Sequence, residues 1–178
     1  GLEVRFLVHT GGEGLCFRDG QLVSLFDLRA DREVLTNTTV GNELRLHEDI
    51  PAPRLYGSLD GMEINAIPAH NTTEGRLQYH PKGRDNGYVL SIDGRRVYIA
   101  GDTEDIPEMR ALEDIFIAFV PMNLPYTMDV DQAASAVAEF APQYVYPYHY
   151  RDSDPDAFAA RVRESEAETD VVMGPWYG

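Results

Sequence analysis

The sequence predicts a mixed α/β fold, with a β-rich first half followed by strands and helices in alternation. Three observations carry this reading. Up to residue 100, short runs of β-branched and aromatic residues are punctuated by Gly and Asp. The clearest of these turns is Asp93-Gly94, set between Tyr88-Val-Leu-Ser-Ile and Arg95-Arg-Val-Tyr-Ile-Ala. An Asp-Gly pair between two such runs is the strongest short-range hairpin signal. Beyond residue 100, apolar runs of strand length alternate with segments of helical period. Mixed sheets covered by helices follow from that order. No repeat, low-complexity tract or long linker interrupts the chain, so residues 1–178 read as one domain.

Taken in order, residues 3–8, 21–26, 33–36 and 63–68 read as strands, separated early on by Gly11-Gly12, Gly14 and Asp19-Gly20. After the hairpin, Asp105-Ile-Pro-Glu108 has the D-x-x-E form of a capping box with Pro in the first turn, predicting a short helix that reaches Leu112. Residues 115–120 form a continuous apolar run of strand length. Asp129-Val-Asp-Gln132 caps a second helix, in which Val130, Ala133, Ala134, Val137 and Ala138 share one face. Pro142 stops it, and residues 143–148 read as the next strand. Asp154-Pro155 opens a third helix with Phe158, Ala159 and Val162 inward, before a last strand near Val171.

Composition narrows the function classes. Thirty Asp and Glu against fifteen Lys and Arg leave a net charge of −15. Such a chain repels phosphate backbones, so nucleic acid held by a basic patch is not expected. Cys16 stands alone, which removes an internal disulfide and a cysteine-based zinc cage. No apolar run nears the roughly 20 residues of a membrane helix, and no basic-then-apolar leader opens the chain, so the expectation is a cytoplasmic protein. Of the fifteen cations only Lys82 is lysine. Salt adaptation and Arg-favouring codon usage both account for that.

Five histidines are present: His9, His47, His70, His80 and His149. Asp102 and His149 each follow an apolar strand, and His80 lies in the Gly-rich loop before Tyr88. Strand ends are where side chains from different strands converge, and imidazole with carboxylate is a good ligand set for zinc and related ions. Each residue also has a plainer reading: Asp102 as a turn cap, His149 as a satisfied core histidine, His80 as an exposed loop residue.

Four strings taken together are more specific. His80-Pro-Lys-Gly-Arg-Asp-Asn-Gly-Tyr-Val, Val97-Tyr-Ile-Ala-Gly-Asp-Thr-Glu, Val120-Pro-Met-Asn-Leu-Pro-Tyr-Thr-Met and Tyr146-Pro-Tyr-His-Tyr occur in this order. In that combination the chain resembles the metallo-β-lactamase superfamily, and more narrowly its ascorbate-6-phosphate-lactonase-like branch. The resemblance implies an αββα four-layer sandwich with mixed sheets and a metal site at one edge. It implies that His80, Asp102 and His149 are metal ligands, with Asp102 bridging and catalytic, and that Asp27 props up the site. It further implies a divalent metal, zinc first and manganese or iron as alternatives. The activity implied is hydrolysis of an ester, lactone or phosphoester bond of a small, anionic substrate by a metal-bound hydroxide.

The family signature H-x-H-x-D-H is absent from this sequence. It is expected between Asp27 and Val34, where Leu28-Arg-Ala-Asp-Arg-Glu33 is too short to hold it, so the chain reads as lacking that segment. Three of about seven ligands then remain, and a metal-poor binding or scaffold protein of the same fold is the rival reading. His9 stands at a weakly matching position. Around the site, His70, Lys82, Arg84 and Tyr126 are the candidate substrate contacts. Arg76, Lys82 and Arg84 make a cationic loop beside His80 that suits a phosphate or carboxylate, or is simply solvated. A homo-oligomer is compatible with the sequence. Cys16 reads as a small buried apolar residue and His47 as solvated.

Overall fold

The computed structural model describes residues 3–7, 13–18, 21–27, 56–59 and 62–174, with side chains over residues 63–174. The described residues form two sheets. Strands β1 (Glu3–Leu7), β2 (Glu13–Arg18) and β3 (Gln21–Asp27) form an antiparallel three-stranded sheet. The second sheet has seven strands: β4 (Tyr56–Leu59), β5 (Met62–Ala69), β6 (Asp85–Ile92), β7 (Arg95–Ile99), β8 (Ile115–Pro121), β9 (Tyr144–Tyr148) and β10 (Asp170–Val171). Neighbours from β4 to β7 are antiparallel, and those from β7 to β10 are parallel. The sheet is therefore mixed, as expected.

The hairpin between β6 and β7 has a two-residue loop. Asp93 and Gly94 both take positive φ, 49° and 76°, and Ile92 pairs with Arg95. Parallel pairing needs crossovers, and three helices supply them: α1 (Pro107–Arg110), α2 (Val130–Phe140) and α3 (Pro155–Glu164). Tyr98, Ala118, Val120 and Val145 face one core with Met109, Val137, Phe140, Phe158 and Val162 of the helices. The alternate residues Val97, Ile99, Ile117 and Phe119 are buried in a second core on the opposite face. Central strands covered on both faces explain why residues 115–120 read as an unbroken apolar run.

Several expectations are corrected. Asp105 does not cap α1: the N-cap position is Ile106, without a side-chain cap. The Asp105 carboxylate is instead taken by the Arg110 fork, Nε to Oδ1 at 2.7 Å and Nη2 to Oδ2 at 2.5 Å. On α2 the Asp129 capping box does form, with Gln132 N donating to Asp129 Oδ1 at 2.7 Å. Its apolar stripe is rotated, however: Ala136 and Phe140 are buried, while Val130 and Ala138 are only half-buried. Ala141, left-handed at φ 38°, ends the helix just before Pro142. Strands β2 and β4 were not anticipated. Gly14, read as turn punctuation, pairs with Leu7 and Phe26 inside β2. Residues 33–36, and the side chains on which four-layer stacking depends, lie outside the described residues.

Gly87 marks the tightest approach between β6 and β7. A Cβ there would lie 2.4 Å from the Ala100 carbonyl oxygen and 2.6 Å from that of Ile99. Gly87→Ala is therefore expected to cost roughly 1–3 kcal/mol or more, as overpacking against backbone does. A lowered urea midpoint at unchanged slope checks this; an unchanged midpoint would refute it.

Candidate metal centre

Five strand termini gather at one edge of the large sheet. His70 follows the end of β5, Asp85 begins β6, Asp102 follows β7, Asn123 follows β8 and His149 follows β9. Because β6 runs antiparallel to β5 and β7, while β8 and β9 run parallel to β7, all five lie on the same side.

Asp102 sits between two imidazoles. Its Oδ1 is 3.0 Å from His149 Nδ1, and its Oδ2 is 3.6 Å from His80 Nε2. The far nitrogen of each ring is also engaged. Asn123, buried, places its amide Nδ2 3.0 Å from His149 Nε2, and Asp85 Oδ2 lies 3.0 Å from His80 Nδ1. Since Asn123 donates to Nε2, His149 carries its proton on Nδ1 and donates it to Asp102. His149 holds this position with a left-handed backbone, φ 48°, a conformation that non-glycine residues adopt rarely and that recurs at functional sites.

The loop bearing His80 is framed by hydrogen bonds. Asn71 N donates to the His80 carbonyl at 2.8 Å, closing the loop on itself. The Asn71 side chain donates to the Arg76 and Tyr126 carbonyls, both at 2.9 Å. Beneath it lies Glu104, fully buried. Its carboxylate accepts from Thr72 N and Thr73 N at 2.6 Å each and from the Thr72 hydroxyl at 3.0 Å, and Arg76 Nε stands 2.7 Å away. Burial alone would push the Glu104 carboxyl up, but the Thr72 and Thr73 donors hold it below the usual range. Asp85 behaves alike: burial opposes the charge, and His80 and Arg84 outweigh it to hold its carboxyl low.

The structure thus brings His80, Asp102 and His149 together, and places the remaining candidates around them. His70 is buried, its backbone N bonded to the Thr103 hydroxyl at 3.1 Å, with Nδ1 lacking a hydrogen-bond partner. Burial, and after it Lys82, lowers its pKa, which favours the neutral ring. Lys82 is exposed. Arg84 does not reach outward as a bare cation; it forks onto Asp85 through Nε and Nη2. Arg76 is likewise drawn inward to Glu104. Tyr126 is 45% exposed and meets the Tyr79 ring edge-on at 5.0 Å. Asp27 ends β3 opposite Glu13, with its side chain outside the described residues, as are His9, His47, the Cys16 side chain and the whole stretch 28–55 in which a segment was read as missing. Asp85, Asn123 and Glu104 went unrecognised in the sequence. Asn123 could have been found, since it follows an apolar strand as Asp102 and His149 do.

Among the described residues, no group of three or more His, Cys, Asp or Glu side chains converges to hold an ion. Zinc takes imidazole and carboxylate donors at roughly 2.0–2.2 Å, so donors sharing an ion stand roughly 3–3.6 Å apart. Both contacts of Asp102 fall in that interval. In donor type and pairwise spacing Asp102 with either imidazole fits two ligands of an ion, whereas the three side chains together supply a partial set that does not close around one ion.

The fold and this edge cluster define a protein of the metallo-β-lactamase class. The chain belongs to the beta-lactamase superfamily, whose domain model matches residues 23–150. A crystal structure from Parabacteroides distasonis, of a protein whose name includes the words metal-dependent hydrolase, shares 43% identity with a TM-score of 0.68 over 84% of this chain and 69% of that one. Igni18, named as a metallo hydrolase, from Ignicoccus hospitalis, is 21% identical with a TM-score of 0.64, covering 99% of this chain and 97% of that one, and shares the fold. A UPF0173 metal-dependent hydrolase from Thermococcus onnurineus is 34% identical over 102 residues, 53% of this chain and 44% of that protein. The chain thus spans about half the length of the curated relatives it matches. No helix among the described residues is long and apolar enough to cross a membrane.

Removing one member of a buried ion pair leaves the other uncompensated, at about 3–5 kcal/mol. Glu104→Ala is expected to destabilise the protein by about that amount, read from urea denaturation. A loss below about 1 kcal/mol, the scale of an exposed pair, would show that Glu104 does not anchor the loop.

Proposed function

We propose that this chain is a metal-dependent hydrolase whose centre is built on His80, Asp102 and His149, acting on an ester, lactone or phosphoester bond. The observation that carries this reading is the Asp102 carboxylate held at 3.0 and 3.6 Å between two imidazoles on one sheet edge. The naming of the relatives as metal-dependent hydrolases supports it.

His80, Asp102 and His149 would hold a divalent ion, zinc best by donor type, with manganese or iron as alternatives. When bound, the ion supplies Lewis-acid polarisation of water and of the scissile oxygen. Ligands that complete the set come from beyond these three residues. The chain's own part begins with Asp102, which orients both imidazoles at once. Asn123 fixes the His149 ring, whose Nδ1 proton is directed at Asp102 in the metal-free protein and would have to leave before that nitrogen could ligate an ion. Glu104 and Arg76 hold the loop that presents His80. With Arg76 and Arg84 committed to carboxylates, exposed Lys82 is the cation of this loop that meets an anionic group on the substrate. Tyr126, in edge-on contact with Tyr79, and His70, buried just past the end of β5, are the further candidate substrate contacts. The partner is a small molecule.

Metal analysis of the purified protein after zinc or manganese loading tests the reading. Bound metal, with metal-dependent cleavage of a model ester or phosphodiester, is the expected result. Asp102→Ala should lower that activity by about two orders of magnitude or more, the scale of several kcal/mol of lost charge stabilisation, with an unchanged circular dichroism spectrum. A protein that takes up no metal after loading is a binding or scaffold member of the fold, and the hydrolase reading falls.

A further inference from the structure

We propose that Asp85 is a positioning residue: it takes the Nδ1 proton of His80 in a hydrogen bond and thereby presents the His80 Nε2 lone pair to the centre. The inference rests on the metal-centre reading for its functional meaning, and on the geometry of Asp85, Arg84 and His80 for its substance.

Three groups surround His80 Nδ1. Asp85 Oδ2 lies 3.0 Å away and Arg84 Nη2 lies 3.3 Å away, while the other ring nitrogen faces Asp102 at 3.6 Å. A neutral imidazole has one N–H and one lone pair, and the neighbours decide which nitrogen carries which. Arg84 Nη2 has two protons to give. It stands 2.6 Å from the Tyr79 carbonyl and 2.8 Å from Asp85 Oδ2, and both of these acceptors are better placed than the ring. Nothing remains for Nδ1 to accept, so Nδ1 is the donor and Asp85 its acceptor. The opposite tautomer would set a lone pair against a carboxylate oxygen at 3.0 Å and forfeit a charge-assisted hydrogen bond. The lone pair therefore resides on Nε2, the nitrogen facing Asp102.

Asp85 is well placed to impose this. It is the first residue of β6 and pairs with Ala69 of β5, so its carboxylate springs from the sheet while His80 sits on a loop. Arg84 Nε adds contacts at 3.2 and 3.0 Å to its two oxygens, so the acceptor is itself clamped. A carboxylate behind a ligating imidazole fixes the ring's orientation and raises its basicity, and losing such a partner typically costs 10–100-fold in metal affinity.

Long-range proton–nitrogen spectra of the metal-free protein read the His80 tautomer directly. The expected result is Nδ1–H in the wild type and loss of that single tautomer in Asp85→Ala. Zinc competition with a chromophoric chelator should show affinity weakened about 10–100-fold in Asp85→Ala. Asp85→Asn, which keeps an acceptor oxygen, should regain most of both. An Nε2–H tautomer in the wild type overturns the proposal without any variant. So does an Asp85→Ala protein with unchanged tautomer and zinc affinity. The two readings fail separately: wild-type protein that binds no zinc yet shows Nδ1–H at His80 loses the metal centre and keeps the orientation by Asp85. Wild-type protein that binds zinc but shows Nε2–H when metal-free keeps the centre and loses the role of Asp85.

Discussion

The reversal of chain direction on either side of β6 is the constraint on which the site depends. An antiparallel neighbour on each flank brings the start of β6 beside the ends of β5 and β7. The parallel run from β7 to β9 then keeps each later strand end on that same edge. Had β7 paired parallel to β6, its five residues would carry Asp102 to the opposite edge, roughly 16 Å away at about 3.3 Å per residue. The turn that makes the reversal is Asp93-Gly94, whose positive φ angles match the right-handed twist of the flanking strands. A hairpin turn remote from the chemistry thus fixes which side chains can meet.

Three carboxylates at this edge divide the work by what surrounds them. Glu104 is fully buried and surrounded by donors, so it serves the loop that carries His80. Asp85 is partly open and forked by Arg84, and it serves one ring. Asp102 lies between the two imidazoles and serves both. The arginines that sequence placed around a substrate are what make two of these burials tolerable, because a carboxylate out of water needs a partner or several donors. Arg76 is in this way turned inward, while Arg84 stays half exposed but paired with Asp85, and Lys82 is exposed.

What could be read in the sequence was local or periodic. The hairpin and the Asp129 capping box each depend on residues at most five apart, and both form. The alternation of apolar strands with helices gave the mixed sheet, and the acids and imidazoles following those strands gave His80, Asp102 and His149. Where a second partner competes, the local signal misleads. Asp105 has the spacing of a cap, yet Arg110 reaches back across one turn and takes both oxygens. Glu104 carries no local signal at all, because its donors Thr72 and Thr73 lie over 30 residues away. Asp85 is hidden for a related reason: beside Arg84 it looks like an exposed ion pair, and only the fold of the 71–80 loop swings His80 back onto it.

The two oxygens of Asp102 stand in different electrostatic situations. Oδ1 receives the Nδ1 proton of His149, whose other nitrogen accepts from Asn123; every polar atom in that chain is matched donor to acceptor. Oδ2 faces His80 Nε2 at 3.6 Å, and the proton of that ring points the other way, to Asp85. A lone pair and an anion turned toward each other at this separation repel, more strongly in a poorly hydrated site than in water. The folded protein holds them so because the β6 start and the Glu104-anchored loop determine where His80 lies, independently of what stands between it and Asp102. The asymmetry lies in the rings: His149 engages both nitrogens in hydrogen bonds, with Asp102 and Asn123, whereas His80 turns its Nε2 lone pair to the Asp102 side.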